Sequence, residues 1–258
     1  MRTALAADRD SAMWLVPDMG ITGISALSTT RNGGVSAGPY AGLNVGGHVG
    51  DDPLYVEQNR RKLEMQLPPN RVITWLSQVH GSRVIYAPAD YEAGIEADAV
   101  WSDRKDFVCA VMTADCLPIL LADRQGHCIA AVHGGWRGLA SHILQKTLDA
   151  LPVPPSELVA WLGPAIGPTA FEVGADVLAA FYLSETDAAV QTVSGAAEKY
   201  WLDLSMIAGR QLLSLGLAPE NISGGDVCTF SDPSRFYSHR RDGVTGRMAT
   251  LIYFSETA

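Results

Sequence analysis

Three residues of this chain have the chemistry to hold a metal ion together: His80, Cys116 and His133. One thiolate and two imidazoles give zinc three protein ligands and leave a position open, as in a catalytic rather than a closed structural site. Their separations, thirty-six and then seventeen residues, match no compact zinc-finger spacing. The same residues also read without metal. Cys116 would be a thiolate nucleophile, His133 its base and Asp115 the group that orients the base, which describes a cysteine hydrolase. Sequence order does not separate the two readings, and each residue also has a plain role as a small core side chain or a hydrogen-bonded histidine. Around them, Arg31, Asn44 and His48 lie in a glycine-rich stretch, and Arg137, Arg240, Arg241 and Arg247 lie in glycine-rich or turn segments. A planar guanidinium suits phosphate or carboxylate; a solvated charge is the default for Arg241. The paired glycines at 33–34, 46–47 and 134–135 form neither a P-loop nor a dinucleotide fingerprint.

The elements that must position these residues centre on residues 111–138. Two apolar runs, 111–121 and 128–134, are separated by a polar turn containing Gly126, which predicts a hairpin of buried strands carrying Asp115, Cys116, His133 and Arg137. His80 ends a β-rich run over 71–79. Residues 13–27 read as a short strand pair. Glycines recur from 33 to 50, where a backbone must turn or approach a ligand closely. Asp51 or Asp52 can cap a helix that starts at Pro53 and carries Val56, Arg60, Leu63 and Leu67 on one face. Further helices are expected over 138–151, 175–183 and 200–215, the last starting after Trp201 with Asp203 or Ser205 as cap. Strands are expected over 158–162, 226–230 and 248–254. The irregular order of strands and helices predicts an α+β fold rather than a doubly wound sheet, and the lack of a linker or repeat predicts one domain over 1–258.

Composition limits the partners. The net charge of −9 repels polyanions at long range and argues against nucleic acid. No apolar run reaches the ~18 residues of a membrane span. Asp8 and Asp10 stand where a signal peptide needs its apolar core, so a cytoplasmic location is expected, with residues 1–12 frayed. The four cysteines are too few and scattered for a disulfide scaffold. No exposed amphipathic stretch points to an obligate protein partner.

A series of blocks in this order resembles the YfiH-like family, also called laccase-domain or polyphenol oxidase-like proteins. They are Thr30-Arg-Asn-Gly-Gly-Val-Ser, Leu43-Asn-Val-Gly-Gly-His-Val-Gly-Asp-Asp with Asn59-Arg60, Gln78-Val-His-Gly, Ala97-Asp-Ala, Thr113-Ala-Asp-Cys-Leu-Pro and Val132-His-Gly-Gly-Trp-Arg-Gly. Gly163-Pro-Ala-Ile-Gly, Cys228-Thr and Tyr237-Ser-His-Arg-Arg-Asp with Thr245-Gly-Arg follow. The resemblance implies mixed sheets packed between helices in one domain, and zinc on His80, Cys116 and His133. It also implies a purine nucleoside phosphorylase acting on adenosine, inosine and methylthioadenosine, with adenosine deaminase activity, so that the partners are a purine nucleoside and phosphate. Some relatives are described instead as peptidoglycan editing factors, which makes a wall-precursor hydrolase or amidase the alternative, and a non-catalytic protein with a structural metal the third reading. Within the phosphorylase reading, Arg31 and Arg137 are the candidates for phosphate, and Asn44, His48 and Asp115 for ribose or base contacts or proton transfer. The laccase label fits poorly: a multicopper centre needs about ten histidines, often in His-X-His pairs, and this chain has six and no such pair. Copper at the single Cys/His/His site would be adventitious.

Overall fold

The computed structural model describes residues 13–255; the terminal segment expected to fray, 1–12, lies outside the described residues. In chain order the first elements are β1 (Trp14–Leu15), β2 (Ile24–Thr29), α1 (Pro53–Glu64), β3 (Val72–Ile73), β4 (Val84–Tyr86), α2 (Ala87–Asp90) and β5 (Ala99–Ser102). Then follow β6 (Phe107–Thr113), β7 (Leu117–Asp123), β8 (Ile129–Gly134), α3 (Trp136–Ala140), α4 (Ile143–Ala150) and β9 (Leu158–Leu162). The last third holds β10 (Glu172–Gly174), α5 (Ala175–Ala180), β11 (Val190–Thr192), β12 (Lys199–Leu202), α6 (Leu204–Ser214), β13 (Ile222–Gly224), α7 (His239–Asp242) and β14 (Met248–Phe254).

The strands form a five-stranded sheet, β1-β2-β14-β6-β3, a six-stranded sheet, β13-β9-β7-β8-β5-β4, and a small sheet, β10-β12-β11. Both large sheets mix parallel and antiparallel pairs. They pack face to face: Ile24, Ala26, Cys109, Val111 and Ile252 of the first meet Val100, Leu120, Ala122, Ile129 and Ala131 of the second. Because strand side chains alternate, Leu117, Ile119 and Leu121 of β7 point the other way, where α3, α4 and α6 cover them with Leu139, Ile143, Leu144, Ile207 and Leu212. On the far side of the five-stranded sheet, Val108, Ala110, Met112 and Leu251 are covered by Leu63 of α1 and by Leu43 and Val45 of the glycine-rich loop. Sheets packed between helices are what the α+β reading called for. With both faces of β7 and β8 covered, every residue of the two strands is buried.

Several local expectations are corrected. The apolar run over 111–121 is two strands in different sheets: β6 and β7 part at residues 114–116, where Asp115 takes a left-handed backbone (φ +94°). A run of buried side chains cannot by itself reveal a sheet-to-sheet crossing. The hairpin is β7–β8, with Leu117 opposite Gly134. The β-rich run before His80 is only β3; the rest is a connection in which His80 itself has φ +57°. The helix expected over 138–151 breaks at His142 (φ +63°) into α3 and α4. Residues 200–202 belong to β12, since Tyr200 and Leu202 are buried against the small sheet's neighbours, and α6 begins after its cap Asp203. Residues 226–230 make a single bridge, at Cys228, rather than a strand. Asp52 caps α1 as expected, accepting from the Leu54 N–H at 2.8 Å.

Candidate metal centre

His133 ends β8, a strand whose two neighbours deliver the other donors. On one side the β7–β8 register places Cys116, one residue before Leu117, beside the Gly134–Gly135 turn. On the other side β5 pairs with β8, and β4, reached from the His80 turn, pairs with β5. The ligand atoms of His80, Cys116 and His133 therefore lie within 4.8 Å of one another, and among the described residues theirs is the one such group. His80 Nε2 is 3.7 Å from Cys116 Sγ, and the two imidazoles meet edge to face at 4.8 Å.

Asp98, fully buried just ahead of β5, holds this arrangement. Its carboxylate meets His133 Nδ1 at 2.8 Å and accepts backbone N–H bonds from Val79, His80 and Gly81 at 3.2, 2.9 and 2.7 Å. Its carbonyl accepts from the His133 N–H at 2.7 Å. One side chain thus fixes the His80 turn and, with the proton on Nδ1, turns His133 Nε2 toward the cluster. Burial pushes the Asp98 carboxyl up, but the His133 bonds and the loop N–H groups outweigh it and hold it below the ordinary range. Burial also opposes charge on Cys116 and His133. Their mutual attraction wins, lowering the thiol to about 6 and raising the imidazole to about 9. A thiolate at neutral pH is the form a metal ligand must have.

The donor set fits a metal, and so does its surrounding space. A Cβ at Gly135 would stand 2.9 Å from His80 Cδ2 and 3.3 Å from Cys116 Sγ, so this glycine leaves the room the three donors converge on. Gln78 anchors the His80 turn to β6 by bonding both the N–H and the C=O of Met112, at 2.7 Å each.

The other sequence candidates separate. Asp115 does not meet His133. Its carboxylate accepts from Thr229 Oγ1, Ser238 Oγ and the Arg240 N–H at 2.7, 3.0 and 2.7 Å, so it ties the Cys116 turn to α7, and the orienting carboxylate is Asp98. Asn44, expected at a ligand, is fully buried with its amide spent on the chain: Oδ1 accepts from Gly46 and Arg247, and Nδ2 donates to Asp51 and Gly46. The Arg31 guanidinium donates to Pro233 and Ala41 carbonyls and lies over Tyr237. Arg137 is exposed and lies over Trp136 at 4.3 Å. Arg241, expected to be solvated, clamps the carbonyls of Thr229, Phe230 and Phe236. His48 does face a cavity. This space of about 410 Å³ is lined by aromatic and apolar Trp75, Leu76, Tyr91 and Met112 and by polar Arg60, Ser77 and Gln78. It adjoins the His80 turn, since Gln78 in its wall precedes His80 by two residues.

Sequence reasoning assigned no role to Asp98, Arg60 or Trp75. A lone acid between two alanines, just ahead of an extended run, was the available signal for Asp98.

No helix among the described residues is long and apolar enough to cross a membrane. The family model described as multi-copper polyphenol oxidoreductase laccase matches residues 25–255. A Pseudomonas aeruginosa protein named purine nucleoside phosphorylase is 46% identical over 245 residues, covering 94% of this chain and 99% of the relative. Purine nucleoside phosphorylase YfiH of Escherichia coli is 45% identical over 233 residues, 90% of this chain and 94% of the relative. Among solved structures, a Neisseria meningitidis protein superposes with TM-score 0.87 at 43% identity, covering 94% of this chain and 99% of the other. YlmD from Geobacillus stearothermophilus superposes with TM-score 0.88 at 30% identity over 99% and 100%. On the fold, the blocks and these matches, the chain belongs to the YfiH-like family, whose model carries the polyphenol oxidoreductase laccase description.

Proposed function

We propose that this protein is a zinc-dependent purine nucleoside phosphorylase that converts adenosine, inosine or methylthioadenosine and phosphate into free base and ribose 1-phosphate, with adenosine deamination at the same centre. Relatives sharing 45–46% of its residues bear the phosphorylase name. The observation that carries the reading is the His80–Cys116–His133 cluster beside a cavity of about 410 Å³, a size within the range of small-molecule sites. The described residues are read as a single domain built around that centre.

His80, Cys116 and His133 would hold the metal, and Asp98 is the positioning residue that sets the His133 tautomer. When bound, zinc supplies Lewis acidity for polarising the purine or activating water. The cavity walls do the rest of the binding. Trp75, Tyr91 and Met112 offer flat apolar surface to a base, and His48 and Ser77 offer hydrogen bonds to ribose hydroxyls. Burial, then the Arg247, Arg60 and His80 charges, lowers the His48 pKa, so its imidazole is neutral at pH 7 and suits hydrogen bonding. In phosphorolysis a phosphate oxygen bonds to C1′ as the C1′–N9 pair leaves with the base, which takes up a proton. Walls that exclude water favour phosphate over water as the attacking group.

The test is metal analysis of the purified protein together with adenosine turnover with and without phosphate. About one zinc per chain and base release that saturates with phosphate are expected; base release at an unchanged rate without phosphate would sink phosphorolysis. The Cys116–His133–Asp98 chain also has the form of a thiol hydrolase site, which favours the wall-precursor amidase as the second reading. Release of an amino acid from a muropeptide precursor, with no phosphate-dependent nucleoside cleavage, would replace the first reading by the second.

A further inference from the structure

Two arginines outside the metal centre, Arg60 and Arg247, are half-buried. Arg60, on α1, lies 4.2 Å over the Trp75 ring, donates from Nε to the Val45 carbonyl at 2.9 Å and lines the cavity. Its Nη2 has only the Met112 sulfur at 4.0 Å. Arg247, just before β14, donates from Nη1 to the Thr245 and Gly246 carbonyls at 3.0 Å each. Among the described residues neither guanidinium has a carboxylate within 4.0 Å, whereas Arg61, Arg104, Arg210, Arg235 and Arg241 do. Removing such charge from water without a counter-ion is costly, and an anionic ligand is the usual remedy.

The loop between them keeps the two close. At Gly46 a Cβ would meet Arg247 Cγ at 2.8 Å, and at Gly47 it would come within 4.0 Å of Arg60 Nη2, so adjacent glycines touch the two arginines. His48 follows directly and feels both charges. Negative groups lie farther off: Cys116 and Asp115 act on Arg247, and Glu64 on Arg60. Of these, the Asp115 carboxylate is already engaged by Thr229, Ser238 and the Arg240 N–H. A locally positive cavity edge in a chain of net charge −9 concentrates anions there.

We infer that Arg60 and Arg247, with His48 between them, form an anion subsite at the edge of the cavity that takes inorganic phosphate. The inference rests on the phosphorolysis reading and moves the phosphate contact away from Arg31 and Arg137. With Arg60 and His48 in the cavity wall and Arg247 packed beside Gly46, both guanidiniums can offer N–H groups to phosphate oxygens.

The test is calorimetric titration of the metal-loaded protein with inorganic phosphate and, separately, with adenosine 5′-monophosphate, alongside phosphate and adenosine KM values. R60Q and R247Q are each expected to raise the phosphate Kd and KM at least about tenfold while the adenosine KM stays within about threefold. R60K, which keeps the charge, should recover part of the loss. R61Q, altering an exposed arginine that pairs with Glu57, should behave as wild type. Wild-type phosphate affinity in both R60Q and R247Q would overturn the subsite and leave phosphorolysis standing. Should R60Q not fold, R247Q and R60K decide the matter. If wild-type turnover ignores phosphate, the functional reading falls, and the titration alone judges the subsite: binding lost in R247Q supports it, and no wild-type binding overturns it. Binding of the nucleotide but not of free phosphate would overturn it too, since the charge would then be reading a substrate-borne phosphate.

Discussion

At the scale of single residues, Asp98 decides more than any metal donor. It sits behind His133 and beneath the His80 turn, and a carboxylate that accepts three backbone N–H bonds and one imidazole N–H leaves both histidines little freedom. Replacing it with Asn puts an amide where four donors converge. Asp98→Asn is expected to weaken zinc binding about 10–100-fold, read by competition with a chromophoric chelator; unchanged affinity would show that Asp98 does not set the His133 tautomer. The pH dependence has a definite sign. The folded carboxyl is held below its unfolded value, so its stabilisation is complete above the ordinary carboxylate range and is lost as the pH falls through the depressed folded value. Metal-free Asp98→Asn should therefore show a shallower fall of Tm with acidification than the metal-free parent. His133 and Cys116 were readable in the sequence because their types are chemically conspicuous. Asp98 was not, because nothing in Ala97-Asp-Ala says which group the acid faces.

At the scale of elements, the glycine-rich loop is held by a few saturated polar side chains rather than by regular structure. Asn44 closes it onto Gly46, Asp51 and the start of β14, and Asn59 of α1 reaches back to the Ser36 hydroxyl and the Asn44 carbonyl at 2.9 and 2.8 Å. Truncating one such buried partner leaves several groups unsatisfied. Asn44→Ala should cost about 2–4 kcal/mol of stability, measured by urea unfolding, and should weaken phosphate binding through the displaced Arg247. A loss below about 0.5 kcal/mol would mean the loop is held by other contacts. Composition predicted a loop here, and a loop is present. What Gly46 approaches is the chain's own Arg247 stem, a contact between residues some 200 positions apart that local pattern does not contain. The break of the apolar run at residues 114–116 was hidden for a related reason. Buried strands of two packed sheets look alike in hydrophobicity, and only their partners differ.

At the scale of the whole molecule, the two large sheets back onto each other and the donors gather where the six-stranded sheet's β5, β7 and β8 end together. An ion that bridges His80, Cys116 and His133 then crosslinks three separate segments of the chain, and binding only the folded state stabilises it by mass action. Zinc at about a hundredfold excess over its Kd should add about 2.7 kcal/mol. For a domain of this size that raises Tm by roughly 5–10 °C, seen by calorimetry with and without a chelator. No difference would argue against a bound metal spanning these elements.

By itself the sequence determined the donor types, the mixed strand-and-helix content and the buried β7–β8 pair, and narrowed two helix caps to Asp51 or Asp52 and to Asp203 or Ser205, since each follows from side-chain chemistry or from periodicity over a few residues. Only the tertiary structure decided that Asp98 rather than Asp115 orients His133, that Asn44 and Arg31 are spent on the chain's own backbone, and that Arg60 and Arg247 flank one glycine pair. The physical reason is the same each time. A polar side chain's role is set by which groups reach it, and in a fold whose strands pair across as many as 135 to 230 residues those groups come from elsewhere in the chain.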